Sequence, residues 1–168
     1  MNADHLAAQA KRLIKKDFVE AYPHLFLIFG EGRDDTPPAQ FYTEAPPHPP
    51  TKWEFSGALQ MAPLVKAPNS PYRDRISIGR ARNCDVVLRH PSVSKLHAHV
   101  SVEEGRWTLR DNGSHNGTSV GTVPLTPDTP VPLQSGDLVT FGAFTVRVID
   151  ASELYQVLNR LVQAVSKR

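Results

Sequence analysis

From Trp53 to Ile149 the chain breaks into short runs of alternating apolar and polar residues. They are "GALQM", "ISIGR", "DVVLR", "HAHVSV", "RWTLR", "TSVG", "LVTFG" and "FTVRVI". Glycine, proline, aspartate and asparagine part them at intervals of about 8–12 residues. Successive strand side chains point to opposite faces, so each run buries one face and needs a second sheet against it. The pattern predicts a mainly β chain built as an antiparallel β-sandwich or barrel. In "HAHVSV", Ala98, Val100 and Val102 share the face expected in the core, and His97, His99 and Ser101 share the other. In "FTVRVI", Phe144, Val146 and Val148 are expected to face in, with Thr145 and Arg147 facing out.

Helices flank these runs. Leu6, Ala10, Leu13, Ile14, Phe18 and Tyr22 recur at helical spacing opposite Lys11, Arg12, Lys15 and Lys16, which predicts one amphipathic helix ending before Pro23. "HLFLIFG" follows as a short buried strand, and Gly30 to Thr51 is proline-rich, with Phe41 and Tyr42 suggesting a segment laid over a surface. At the other end Asp150 and Glu153 form a capping-box pattern before Leu154, Leu158, Leu161 and Val165. A helix this short is not stable alone in water, so its stripe is expected to pack within the same chain. The organisation expected is thus 1–52 for the first helix, strand and proline-rich segment, 53–150 for the sandwich, and 151–168 for the last helix.

The chain has 168 residues, enough for one packed domain with appendages, and a net charge of +2 that gives no field strong enough to imply nucleic acid or an acidic membrane. Its single cysteine, Cys84, excludes an internal disulfide framework and reads as a small buried hydrophobe. The longest apolar run, Leu25 to Phe29, is far below a membrane span, and the charged N-terminus does not resemble a signal peptide, so a cytoplasmic location is expected. Thr36 and Thr43 are candidate phosphorylation sites without a kinase motif.

Special residues gather in three loops: "IGRARNC", "HPSVSKLH" and "DNGSHNGT". Ser94 and His97 are close enough to suggest a nucleophile and base, but no G-x-S-x-G elbow accompanies them and Asp111 is the sole acid nearby. His97, His99 and His115 suggest a metal, yet no Cys- or Glu-containing ligand motif joins them. Anion capture suits the loops better. Arg80 offers a planar fork that never loses its charge, Ser94 a hydroxyl and an N–H, Lys95 an ammonium, and the third loop backbone donors and an Asn amide. Taken alone, Arg80 and Lys95 could equally be solvated loop residues.

The ordered set "ISIGR…DVVL…VSKLHA…DNGSHNGT…L…GDLVTFG" resembles the forkhead-associated (FHA) domain, a β-sandwich that recognises phosphothreonine. The resemblance runs from about Ile76 to Val148, with the first strands expected between Trp53 and Met61. It implies that Arg80 and Ser94 bind phosphate, with Lys95 as a further contact, and that Asn116 bonds the peptide backbone. Gly79, His97, Gly117 and Thr118 would support the loops. No cofactor, metal or catalytic residue is implied. The expected function is a phosphothreonine-binding adaptor in Ser/Thr-kinase signalling, its partners phosphothreonine proteins rather than nucleic acid or membrane. The competing reading is a phospho-independent interaction module, or a homodimer, using the terminal helices.

His115 departs from the family, which commonly carries serine, threonine or arginine there. As an imidazolium it would add a phosphate contact, so binding is expected to strengthen as pH falls from about 7.5 to 6. The second pKa of the phosphate, about 6, pushes the other way. Titrating wild type and His115→Gln over that range separates the two effects, and identical curves would remove the histidine from the site.

Overall fold

A computed structural model of the chain describes residues 3–30, 59–68 and 70–165. The proline-rich segment, Phe41, Tyr42, Thr36 and Thr43 lie outside the described residues, as does the stretch from Trp53 to Ala58. The N-terminal apolar stripe folds as two helices, α1 (Ala3–Arg12) and α2 (Lys15–Ala21), instead of the single helix expected. The break falls at Ile14, whose backbone is extended and whose side chain is 65% exposed. It turns α2 so that the fully buried Phe18 meets Tyr155 at 5.4 Å between ring centroids. No glycine or proline marks this break, so the periodicity ran through it.

The strands are β1 (Phe26–Gly30), β2 (Leu59–Pro63), β3 (Ile76–Gly79), β4 (Val86–Val87), β5 (Ala98–Glu103), β6 (Arg106–Asp111), β7 (Thr118–Val120), β8 (Val123–Pro124), β9 (Val131–Pro132), β10 (Leu138–Phe141) and β11 (Phe144–Ile149). They form a six-stranded sheet, β2-β1-β11-β10-β7-β8, and a five-stranded sheet, β4-β3-β5-β6-β9. Every pairing is antiparallel except β3 with β4. The two-residue strands β8 and β9 are too short to give an alternation, and the sequence did not show them.

One core lies between the sheets, where Ile76, Ile78, Ala98, Val100 and Leu109 of the smaller sheet meet Leu27, Val139, Phe141, Val146 and Val148 of the larger. A second lies on the outer face of the larger sheet. There Phe26, Ile28 and Ile149 pack under α1, α2 and the last helix, α3 (Ala151–Val165), through Leu6, Ala10, Phe18, Leu154 and Leu158. β1 is thus covered on both faces, which explains why "LFLIF" is apolar without alternation. It also corrects the boundary at residue 53: β1 sits inside the six-stranded sheet, between β2 and β11, so the sandwich draws on the N-terminal segment.

Asp150 caps α3 by accepting the Glu153 N–H at 2.8 Å, but the Glu153 carboxylate turns to Arg147 and Ser135 and does not close the box. Leu154 and Leu158 are buried against α1 and α2, as expected, while Leu161 is 40% exposed. Two expectations for β5 and its approach are corrected. Val102 is 44% exposed because it pairs with Trp107 near the hairpin end, beyond the core. His97 is fully buried, since it precedes the strand and is enclosed by loops at the end of the sandwich. His99 does lie on the outer face, but it is only 4% exposed, with Tyr72 edge-on to it at 5.1 Å.

Candidate functional site

β3 delivers Gly79 and Arg80 to one end of the sandwich, and the segment before β5 returns there with Ser94 and Lys95. The two segments are laced together by Arg80 N–H to the Ser94 carbonyl at 2.9 Å and Ala81 N–H to the Lys95 carbonyl at 3.0 Å. That approach requires a glycine: a Cβ on Gly79 would lie 2.3 Å from the Lys95 carbonyl oxygen. The Arg80 side chain is aimed by its Nε, which donates to the Val93 carbonyl at 3.1 Å. This uses one edge of the fork and leaves the terminal nitrogens for a ligand.

Ser94 and His97 are not a nucleophile and base. The His97 Nδ1 accepts the Ser94 backbone N–H at 2.9 Å, while the Ser94 hydroxyl oxygen accepts the His115 N–H at 3.0 Å. The other ring nitrogen, Nε2, donates to the Gly117 carbonyl at 3.1 Å. His97 therefore ties the second loop to the third, with both nitrogens engaged, and its ring stands edge-on to Phe141 at 5.5 Å. Gly117 turns there with a φ of 75°, a left-handed conformation that suits glycine. Among the described residues no three His, Cys, Asp or Glu side chains converge as metal ligands would.

The third loop is fixed from beneath by Asp111, which is 1% exposed. Its carboxylate accepts the Ser114 N–H and hydroxyl and the Thr118 hydroxyl. Burial raises its pKa, but these three donors outweigh burial and hold it below the ordinary carboxylate value. Asn116 Nδ2 donates to the Ser92 carbonyl at 2.8 Å, which leaves the amide oxygen to accept from a ligand. Ser92 in turn accepts the Ala143 N–H at 2.8 Å on its hydroxyl, joining the turn after β10 to the site. Sequence reasoning passed over Ser92, and considered Asp111 only as a catalytic partner. A serine that staples two loops has no local pattern to distinguish it from other loop serines.

Arg80, Ser94, Lys95, His115 and Asn116 line one open depression of about 470 Å³, together with Ser92 and its neighbours. Among the described residues no carboxylate lines it. Gly79, His97, Gly117 and Thr118 stand behind it as described. The arrangement can hold a doubly charged anion by a fork, an ammonium and loop donors at once, and it can read the backbone beside that anion through Asn116.

Two buried histidines and the half-buried His24 predict an acid limit to stability. Burial lowers the pKa of His97, against the opposing pull of the Gly117 carbonyl and Asp111. Burial and then the Arg75 charge lower His99, and burial lowers His24. Unfolded histidines bind protons below about pH 6.5 that these folded ones refuse, so stability is complete above that value and declines below it. The slope is at most about 1.4 kcal/mol per pH unit for each histidine. Urea titrations between pH 7.5 and 5 test this, and a flat profile would contradict neutral buried rings.

The family model described as "FHA domain" matches residues 76–142, which span β3 to the turn after β10. The chain carries an FHA domain. Among curated proteins, this FHA-containing chain is 36% identical over 107 residues to the protein phosphatase 1 regulatory inhibitor subunit PPP1R8 homolog of Arabidopsis thaliana, a match covering 58% of this chain and 29% of that protein. It is 32% identical over 71 residues to an FHA domain-containing protein of the same plant, covering 42% and 18%. The chain spans less than a third of the length of these relatives. Among solved structures, the N-terminal FHA domain of S. cerevisiae Rad53, in complex with a phosphothreonine peptide, aligns at 23% identity with a TM-score of 0.43 over 51% of this chain and 77% of that one. No helix among the described residues is long and apolar enough to cross a membrane.

Proposed function

We propose that this FHA domain is a phosphothreonine-peptide-binding module that acts as an adaptor under the control of Ser/Thr kinases. The observation that carries the reading is the joining of two loops. Backbone hydrogen bonds lock the Arg80 turn to the Ser94–Lys95 segment, so Arg80, Ser94 and Lys95 border one depression with no carboxylate among its described lining residues. A phosphothreonine brings about −1.5 to −2 charges and three acceptor oxygens, which matches that donor set. Asn116 then holds the peptide backbone, Lys95 and His115 border the phosphate, and no cofactor takes part. Charge-assisted bonds offset by desolvation and peptide ordering place the affinity on the order of micromolar, which suits reversible attachment. The terminal helices bury Leu6, Phe18, Leu154 and Leu158 within the chain, so they offer less to a phospho-independent partner.

The test is a fluorescence anisotropy titration with matched peptide libraries fixed at phosphothreonine, phosphoserine or threonine. Binding confined to the phosphothreonine library is expected. Equal binding of the threonine library would reject the proposal.

A further inference from the structure

Three residues at the elbow between α1 and α2 stand against the preferences of the helix they open. Ile14 occupies the N-cap of α2 and forms no side-chain capping hydrogen bond. Ser, Thr, Asp or Asn is favoured at that position, and isoleucine is among the poorest choices. Lys15 and Lys16 follow in the first turn, where the helix dipole favours acids over cations. Helix stability therefore calls for none of the three.

The fold also holds Ile14 outward, at 65% exposure. On one side Leu13 packs into the core beneath the helices, and its carbonyl accepts the Tyr155 hydroxyl of α3 at 3.3 Å. On the other the Ile14 carbonyl accepts the N–H of the fully buried Phe18 at 3.0 Å. Turning Ile14 inward would break both anchors. Of the large apolar side chains exposed among the described residues, Ile14 alone is flanked by basic residues on both sides.

Those residues are Lys11, Arg12, Lys15 and Lys16, all exposed. Among the described residues no carboxylate lies within ion-pair distance of any of them. Asp17 is the one acid between Lys11 and Phe18, so four cations stand against one anion. The expectation that no membrane is engaged rested on the net charge of +2, which conceals this cluster.

We propose that the α1–α2 elbow docks on an anionic lipid surface, with Ile14 entering the headgroup region and the four cations meeting lipid phosphates and carboxylates. A nucleic acid would offer similar charges, but it gives an exposed isoleucine nothing to enter, and Lys11 to Lys16 include no aromatic ring on which a base could stack. No residue of α1 or α2 lines the depression beside Arg80, so lipid and peptide draw on separate residues.

The test sediments the full chain with vesicles of phosphatidylcholine alone, or of equal parts phosphatidylcholine and phosphatidylserine. Cosedimentation is expected with the anionic vesicles only. A basic residue near such a surface is worth about fivefold in affinity. Lys15→Gln combined with Lys16→Gln should therefore weaken binding on the order of twentyfold. Ile14→Ser should weaken it roughly tenfold, the scale of keeping most of an isoleucine out of an apolar medium. Because serine is a preferred cap, that variant should melt at the wild-type temperature or above, which separates lost binding from lost folding. No cosedimentation with anionic vesicles would overturn the proposal, as would Ile14→Ser binding them as tightly as wild type. Duplex DNA that binds more tightly than the vesicles, and equally to wild type and Ile14→Ser, would assign the elbow to nucleic acid and overturn the lipid surface.

Discussion

Replacing Arg80 with alanine is expected to weaken phosphothreonine-peptide binding on the order of a hundredfold. Two charge-assisted hydrogen bonds are lost, each worth about 1.5 kcal/mol at the lower end of their range, and about 1.4 kcal/mol corresponds to a factor of ten. The fold should tolerate the change, because the Arg80 side chain is exposed and its one recorded side-chain bond is Nε to the Val93 carbonyl. Arg80→Lys should not restore binding. An ammonium has no Nε with which to fix its aim, and no second nitrogen to form a fork. Anisotropy titration beside thermal unfolding separates the two effects. Binding within threefold of wild type in a folded Arg80→Ala protein would remove the arginine from the phosphate site.

His97→Ala is expected to have the largest effect on stability, a loss of about 3 kcal/mol or more. The ring is fully buried, so its removal leaves a cavity beside Phe141. It also strands the Ser94 N–H and withdraws one partner from the Gly117 carbonyl. At about 2–4 °C per kcal/mol for a chain of this size, the melting temperature should fall by roughly 6–12 °C. Peptide affinity should fall with it even where the protein remains folded, because the second and third loops are no longer tied to each other. Circular dichroism melts and titrations at low temperature measure both. A change below about 1 kcal/mol with unaltered affinity would refute the tie.

The contrast between Arg80 and His97 shows what was legible in the sequence. Arg80, Ser94, Lys95, His115 and Asn116 stand in loops punctuated by Gly, Pro and Asn, and the alternating runs already placed such loops beyond the strand ends. The structure brings all five to one depression. Ala98, Val100, Val146 and Val148 were likewise legible as core, because a pleated strand leaves them no other face. The burial of His97 was not, since a period of two applies only inside a strand and β5 starts one residue later. Nor was the cover over the outer face of the smaller sheet. His99 stands on the face opposite the core, yet it and its neighbour across the pair, Ser77, are buried near Tyr72 and Asp85, whose return to that face depends on tertiary packing. The His99 ring nitrogens have no hydrogen-bond partner among the described residues.

The position of β1 also bears on how this domain can be moved between proteins. The stretch that carries the family's signature begins at β3, but β11 leans on a strand donated by residues that come fifty places earlier in the chain. A fragment beginning at β3 would leave β11 with an unpaired edge and bare Ile149, Leu154 and Leu158, which pack in one core with residues of α1, α2 and β1. The portable unit is therefore larger than the recognisable one. Any graft, fusion or shuffled gene that keeps the phosphate loops while discarding the first thirty residues would carry the site without its support.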